Sequence, residues 1–182
     1  MARHGGSIAS AFAGHFATGP WRIELSGSFQ LVALPYERFA SLFDRSDAEL
    51  LAMDARRVVV DDKPGFPCRV SLADAEIGET ALLISFVHHD TASPYRASGP
   101  IYVRRGVRTA MPAVGEIPEM FRHRLLSLRA YDASAMLVNA DITEGVELEE
   151  SIALLFADDQ VRYLHVHNAR PGCFDCSVVR VS

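Results

Sequence analysis

Apolar and polar positions alternate twice between Leu125 and Ile142. Leu126, Leu128 and Ala130 stand against Ser127, Arg129 and Tyr131, and Met136, Val138, Ala140 and Ile142 then repeat the pattern after residues 132–134. A period of two puts successive side chains on opposite faces, so this stretch predicts a β-hairpin. The same period returns over residues 161–167, where Val161, Tyr163, His165 and His167 share one face and Arg162, Leu164 and Val166 the other. Residues 80–87 form a continuous apolar run between Gly78 and the polar loop 88–94, the pattern of a central strand. Shorter extended runs at 29–34, 57–60, 68–72, 101–103 and 176–181 complete the strands.

Helical spacing is rarer. Leu148, Ile152, Leu155 and Phe156 recur at a period near 3.6, and Glu144 and Glu147 suit a positive N-terminal end, which predicts a helix over 143–157. Ser46-Asp47-Ala48-Glu49 is a capping-box sequence ahead of Leu50, Leu51 and Met53, and Pro118 suits the first position of a short helix over 119–124. Another short helix is expected over 36–43. Many strands, hairpin connections and segregated helices predict an α+β fold: a single domain over 29–182, mainly antiparallel, with a few short helices and one longer one near 144–157. Residues 1–28 read as an extension, expected to be disordered. Their apolar run is interrupted by Gly14 and His15 and lacks the core of a secretory signal.

Composition narrows the class. The chain has 182 residues, 49% hydrophobic and 23% charged, with a mean hydropathy of +0.09, which excludes a collagen-like, coiled-coil or wholly disordered architecture. No run approaches 18 apolar residues, so no membrane partner is expected. A net charge of −5 argues against a nucleic-acid partner. The charge is unevenly spread: seven arginines and two glutamates lie between Arg96 and Arg129, whereas residues 132–159 carry eight acids and no Lys or Arg. This asymmetry reads either as two solvated faces or as an arginine patch for an anion. Three cysteines, an odd number, favour free thiols in a reducing cytoplasm.

Three segments stand out: Lys63-Pro64-Gly65-Phe66-Pro67-Cys68-Arg69-Val70-Ser71-Leu72, Ser93-Pro94-Tyr95-Arg96-Ala97-Ser98-Gly99-Pro100-Ile101, and His165-Val166-His167-Asn168-Ala169-Arg170-Pro171-Gly172-Cys173. In that order they resemble a bacterial family catalogued as domain of unknown function 1203. The resemblance runs from about Phe29 to the C-terminus. It implies no reaction, cofactor or partner, so no catalytic residue is carried over from it.

The chemistry must therefore come from the residues themselves. His165 and His167, two apart on a strand, project from one face about 6–7 Å apart. With Cys173 and Cys176 they form H-x-H followed by C-x₂-C, four zinc ligands in principle, although no glycine follows Cys176 as it does in zinc knuckles. A second reading makes Cys173 a nucleophile with His165 or His167 as its base and Asn168 as orienter. In a third, Ser93, Tyr95, Arg96 and Ser98, with His89 just before them, form a loop that wraps a carboxylate or phosphate. Walker, G-x-G-x-x-G, G-x-S-x-G and H-E-x-x-H patterns are absent, and no cofactor is indicated. The expectation is a small cytoplasmic enzyme or ligand-binding domain, its pocket lined by His, Cys and Arg, for a small anionic metabolite. The alternatives are a non-enzymatic interaction module or homodimer with structural His and Cys, and a zinc-binding domain.

Overall fold

The computed structural model describes residues 28–181. The extension expected over residues 1–28 lies, Ser28 apart, outside the described residues. In chain order the elements are β1 (Phe29–Val32), α1 (Asp47–Leu51), β2 (Ala55–Val59), β3 (Pro67–Cys68), β4 (Ala73–Asp74), β5 (Thr80–His89), β6 (Ala97–Arg104), α2 (Glu119–Arg122), β7 (Leu125–Tyr131), β8 (Leu137–Glu144), α3 (Leu148–Phe156), β9 (Tyr163–Asn168) and β10 (Phe174–Arg180). The α+β reading, mainly antiparallel with one longer helix, is borne out. The strands divide into two five-stranded sheets, ordered β1-β10-β9-β7-β8 and β2-β5-β6-β3-β4, and β3–β6 is the one parallel pair in these ladders.

Alternation decides what each face of the first sheet meets. Leu126 and Leu128 of β7, Leu164 and Val166 of β9, and Cys176 and Val178 of β10 are all buried with Leu148, Ile152, Leu155 and Phe156 of α3. Burying a Leu, Ile or Phe side chain is worth roughly 1.5–3 kcal/mol, so this layer fixes which way every other residue of β7, β9 and β10 points. Ser127, Arg129, Tyr131, Tyr163, His165 and His167 are thereby turned to the opposite face. A second core gathers Phe39, Phe43 and Leu50 against Leu82, Ile84, Ile101 and Val103 of β5 and β6.

Local signals held where short-range geometry governs. The Ser46 hydroxyl accepts from the Glu49 amide and the Glu49 side chain accepts from the Ser46 amide, closing the expected capping box. Residues 36–43 coil as two 3₁₀ turns, Tyr36–Arg38 and Ala40–Asp44. Residues 68–72 do not continue as a strand. The Leu72 amide turns back to the Cys68 carbonyl at 3.0 Å, and Leu72 itself sits at φ +47°. That turn sends Arg69 into the interior. The last helix starts five residues later than the pattern suggests, because Thr143 and Glu144 pair with Leu126 and Leu125 as the end of β8.

Gly145 makes that switch from strand to helix possible. Its amide donates to the Arg124 carbonyl at 2.8 Å, and a Cβ built on it would lie 1.8 Å from the Phe121 carbonyl oxygen. Backbone would have to move to admit any side chain. Gly145→Ala is therefore expected to cost about 3 kcal/mol in urea unfolding, the scale of an overpacked core site. A loss below about 1 kcal/mol would show that the α2–β8 corner yields freely.

Candidate functional site

The residues singled out by sequence fall into two neighbouring groups. The first is a cleft of about 450 Å³, within the range of small-molecule sites. All three segments that carry the family resemblance reach it. Pro64, Pro67 and Arg69 come from the first, Pro100 from the second, and Asn168, Pro171 and Cys173 from the third, with Tyr102 and Arg124 beside them. A second hollow of about 420 Å³ shares Arg124, Asn168 and Pro171 and adds His123, Glu144 and Arg170.

A buried ionic network holds these walls. Arg69, 2% exposed, pairs through Nη2 with Asp175 Oδ1 at 3.2 Å, donates from Nε to the Phe174 carbonyl at 2.7 Å, and donates from Nη1 to the Pro67 carbonyl. Asn168 Nδ2 donates to the same Asp175 oxygen at 2.8 Å. A register shift in β10 between Phe174 and Cys176 puts Asp175 between two regularly paired residues, and the bulge aims it at Arg69. Burial pushes the Asp175 carboxyl up to about 6, against the pull of Arg69, Arg124 and Asn168. Arg124 forms a fork on Asp74 and also donates to the Met120 carbonyl. Arg170 is exposed and joins no ion pair among the described residues.

Cys173 is the accessible thiol: it is half-buried, whereas Cys68 and Cys176 are buried. Gly172, at φ +74°, makes the turn that presents it, a conformation that suits glycine. The expected dyad is not assembled. Cys173 Sγ faces the Pro171 carbonyl at 3.9 Å, and His167 uses Nδ1 on the Gly172 carbonyl at 3.0 Å. Neither His165 nor His167 makes a hydrogen bond to the thiol. Asn168 is engaged with Asp175 and does not orient an imidazole.

The zinc set does not converge either. Cys176 is buried in the α3 layer with Val166 and Val178, on the face of the sheet opposite His165 and His167. Among the described residues, no group of three or more His, Cys, Asp or Glu is arranged to hold a metal ion. The error lies in reading H-x-H and C-x₂-C as one hairpin face, when the bulge at Asp175 and the strand pleat separate them.

The second group surrounds the histidines. His165 and His167 are 3% and 0% exposed, and the end of β5 crosses over them. A register shift between Val87 and His89 lets both His88 and His89 turn toward the first sheet. The His88 ring stacks on Phe174 (5.0 Å between centroids) and lies 5.2 Å from His167, while His89 lies 4.9 Å from His165. His89 is satisfied on both sides, with Nδ1 on the Tyr95 carbonyl at 2.7 Å and Nε2 against the Tyr163 hydroxyl at 2.7 Å. The carbonyl requires Nδ1 to donate, and in the neutral ring Nε2 is then the acceptor for the Tyr163 hydroxyl.

In the loop 93–98 the polar groups are engaged within the protein. Arg96 pairs with exposed Asp90 at 3.0 Å. The Ser93 hydroxyl donates to the Ala135 carbonyl at 2.8 Å and accepts from the Tyr95 amide at 3.0 Å, while Ser98 is exposed on β6. These residues close the loop onto the β7–β8 turn, and only Tyr95 reaches the histidine cluster, through its carbonyl. Arg96 is not among the residues that line the cleft beside Cys173. Arg69, Arg124 and Asp175 were not singled out by sequence, since an arginine two residues past a proline carries no local mark of burial.

Comparison with known proteins adds a family and nothing on activity. The model of a family described as "Protein of unknown function (DUF1203)" matches residues 65–180. No curated protein and no solved structure matches the chain. No helix among the described residues is long and apolar enough to cross a membrane.

Proposed function

We propose that this chain, which belongs to the DUF1203 family, is a ligand-binding domain that takes a small anionic metabolite into the cleft beside Cys173. One observation carries the reading: three segments separated by up to about a hundred residues, the same three that mark the family resemblance, all contribute to the wall of one ligand-sized cleft. Arg69 and Arg124 are held in place by acids, so they shape the wall, and Arg170, which lines the adjoining hollow with Arg124 and Asn168, is exposed and open to a carboxylate or phosphate that reaches across from the cleft. The Cys173 thiol at the rim is placed to touch the ligand. Among the described residues no imidazole hydrogen-bonds to that thiol, so the reading is of binding and includes no covalent step. Three unpaired cysteines support a reducing, cytoplasmic setting.

Limited iodoacetamide labelling with peptide mapping tests this. The native chain is expected to be alkylated at Cys173, with Cys68 and Cys176 reacting only after denaturation. Millimolar acetate, malonate, citrate or inorganic phosphate, tried singly, should slow that labelling several-fold in at least one case, and Arg170→Ala should remove the protection. Absence of protection by every anion, or unchanged protection in the variant, would sink the proposal.

A second reading, an interaction module or homodimer, is favoured by β8. Among the described residues this strand ends the first sheet, and residues 138–142 are exposed, so its outer hydrogen-bonding edge has no partner strand among them. Sedimentation velocity separates the readings, because a dimer broken by Val138→Lys would place function at that edge.

A further inference from the structure

The face of the first sheet opposite α3 carries a set of groups that the cleft does not use. Strand register arranges them in rows: Ser127, His167 and Phe174; Arg129, His165 and Ser177; Tyr131, Tyr163 and Val179. His88 lies over the first two rows, its ring 5.2 Å from that of His167 and 6.1 Å from that of His165. His89 is satisfied, but its neighbours are not. His167 donates Nδ1 to the Gly172 carbonyl, which leaves Nε2 as a bare acceptor with no partner. His165 Nδ1 and both nitrogens of His88 are also buried without a hydrogen-bond partner among the described residues. A chain that buries four imidazole nitrogens unpaired in one place leaves them for a partner from outside.

Charge indicates the kind of partner. Arg129 stands directly opposite His165 across the β7–β9 ladder and joins no ion pair among the described residues. No carboxylate belongs to the set. The groups facing the imidazoles are Arg129 and Tyr131 from β7, Tyr163 from β9, His88 and His89 from β5, and Arg69 on the far side of His167. Burial, reinforced by Arg129 and by the imidazoles acting on one another, holds His88 down to about 4, His165 to about 2 and His167 to about 3. Neutral imidazoles can also take a metal. However, no three of these side chains are arranged around an ion, and Arg129 opposes a cation. Ser127, Arg129 and His88 are only partly buried, and beyond them Ala140 and Ile142 of β8 are exposed, so the set is approached from the β8 side.

We propose that this face is a second binding site, for a small oxyanion of the phosphate or sulfate class. Arg129 and the Ser127 hydroxyl hold the anion, and His165 and His88 take up protons as it binds. The reading is independent of the cleft beside Cys173. Protons enter with the anion because its charge offsets the field of Arg129 and gives each imidazolium a partner that the empty face lacks.

Calorimetric titration of the full chain with sodium sulfate at pH 6, 7 and 8, at constant ionic strength and in two buffers of different ionisation enthalpy, tests this. Binding is expected to tighten at least about threefold per unit fall in pH, the limits being about tenfold for one linked proton and about a hundredfold for two, with proton uptake visible in the buffer dependence. Arg129→Gln should weaken binding at least about tenfold. His88→Phe, which keeps the stack on Phe174, should reduce proton uptake, and it serves if the Arg129 variant does not fold. Alkylation of Cys173 should change nothing, which separates this site from the cleft. Affinity independent of pH, wild-type affinity in Arg129→Gln, or no sulfate binding would overturn the assignment. Stabilisation by zinc but not by sulfate would overturn it in favour of a metal.

Discussion

Arg69→Met is expected to lose about 3–5 kcal/mol of stability in urea unfolding at pH 7.5, the largest effect of any single substitution considered for this chain. Arg69 and Asp175 are both buried, 106 positions apart, and each compensates the other's removal from water. Removing the guanidinium leaves a buried carboxylate whose second oxygen already lacks a partner, and it also strips donors from the Phe174 and Pro67 carbonyls. The Arg69→Met, Asp175→Leu double variant should regain a large part of the loss, because an apolar pair carries no desolvation cost. A single variant within about 1 kcal/mol of wild type would show that the pair does not hold β3 to β10. The cleft beside Cys173 should widen in the single variant, which faster iodoacetamide labelling would report.

The second large effect is loss of stability in mild acid. The folded-state pKa values of His165 and His167 lie near 2 and 3, far below the ordinary 6.5. The unfolded chain therefore binds protons that the folded chain excludes. A depressed imidazole contributes its full stability above pH 6.5 and loses it steadily as the pH falls from there towards the folded value. These two residues exclude nearly two protons at pH 5. His88, depressed to about 4 but partly exposed, adds less, and Asp175, raised to about 6, works in the opposite sense by holding a proton in the folded state. The net slope near pH 5 is then about 2 kcal/mol per pH unit. Between pH 6.5 and pH 4 that slope removes about 4–5 kcal/mol, which exhausts the stability of a domain at the lower end of the typical range of roughly 5–15 kcal/mol. Urea midpoints at pH 7.5, 6.5, 5.5 and 4.5 measure this directly. His165→Phe should flatten the slope by about 1.4 kcal/mol per pH unit if it folds, and a midpoint constant from pH 7 to 5 would refute the account.

Most of the fold was legible in the sequence because its signals are local. The hairpin of β7 and β8, the faces of β9, the capping box at Ser46 and the longer helix each depend on residues within a few positions of one another. Those positions carry the periodicity that burial demands. The accessibility of Cys173 was legible for the same reason, since Pro171-Gly172 marks a turn. The misreadings also have local causes. The run 68–72 looks extended until Leu72 adopts a positive φ, and the helix over 143–157 looks continuous until Thr143 and Glu144 are claimed by ladder pairing with β7.

The sites were legible only as residue types. Sequence alone determined that His165 and His167 share a face, that Cys173 follows a turn and that arginines are concentrated between Arg96 and Arg129. Tertiary structure alone decided which of them meet. His88 reaches His165 across 77 positions because β5 crosses the first sheet and bulges at its end, and Arg129 faces His165 because β7 and β9 pair in that register. The same packing withdrew Cys176 to the opposite face and tied Arg96 to Asp90. Periodicity reports the orientation of a side chain relative to its own strand, an energy set by near neighbours. The partner it meets there depends on how separate strands cross and register, which is settled by the burial of whole layers and leaves no mark at the residue itself.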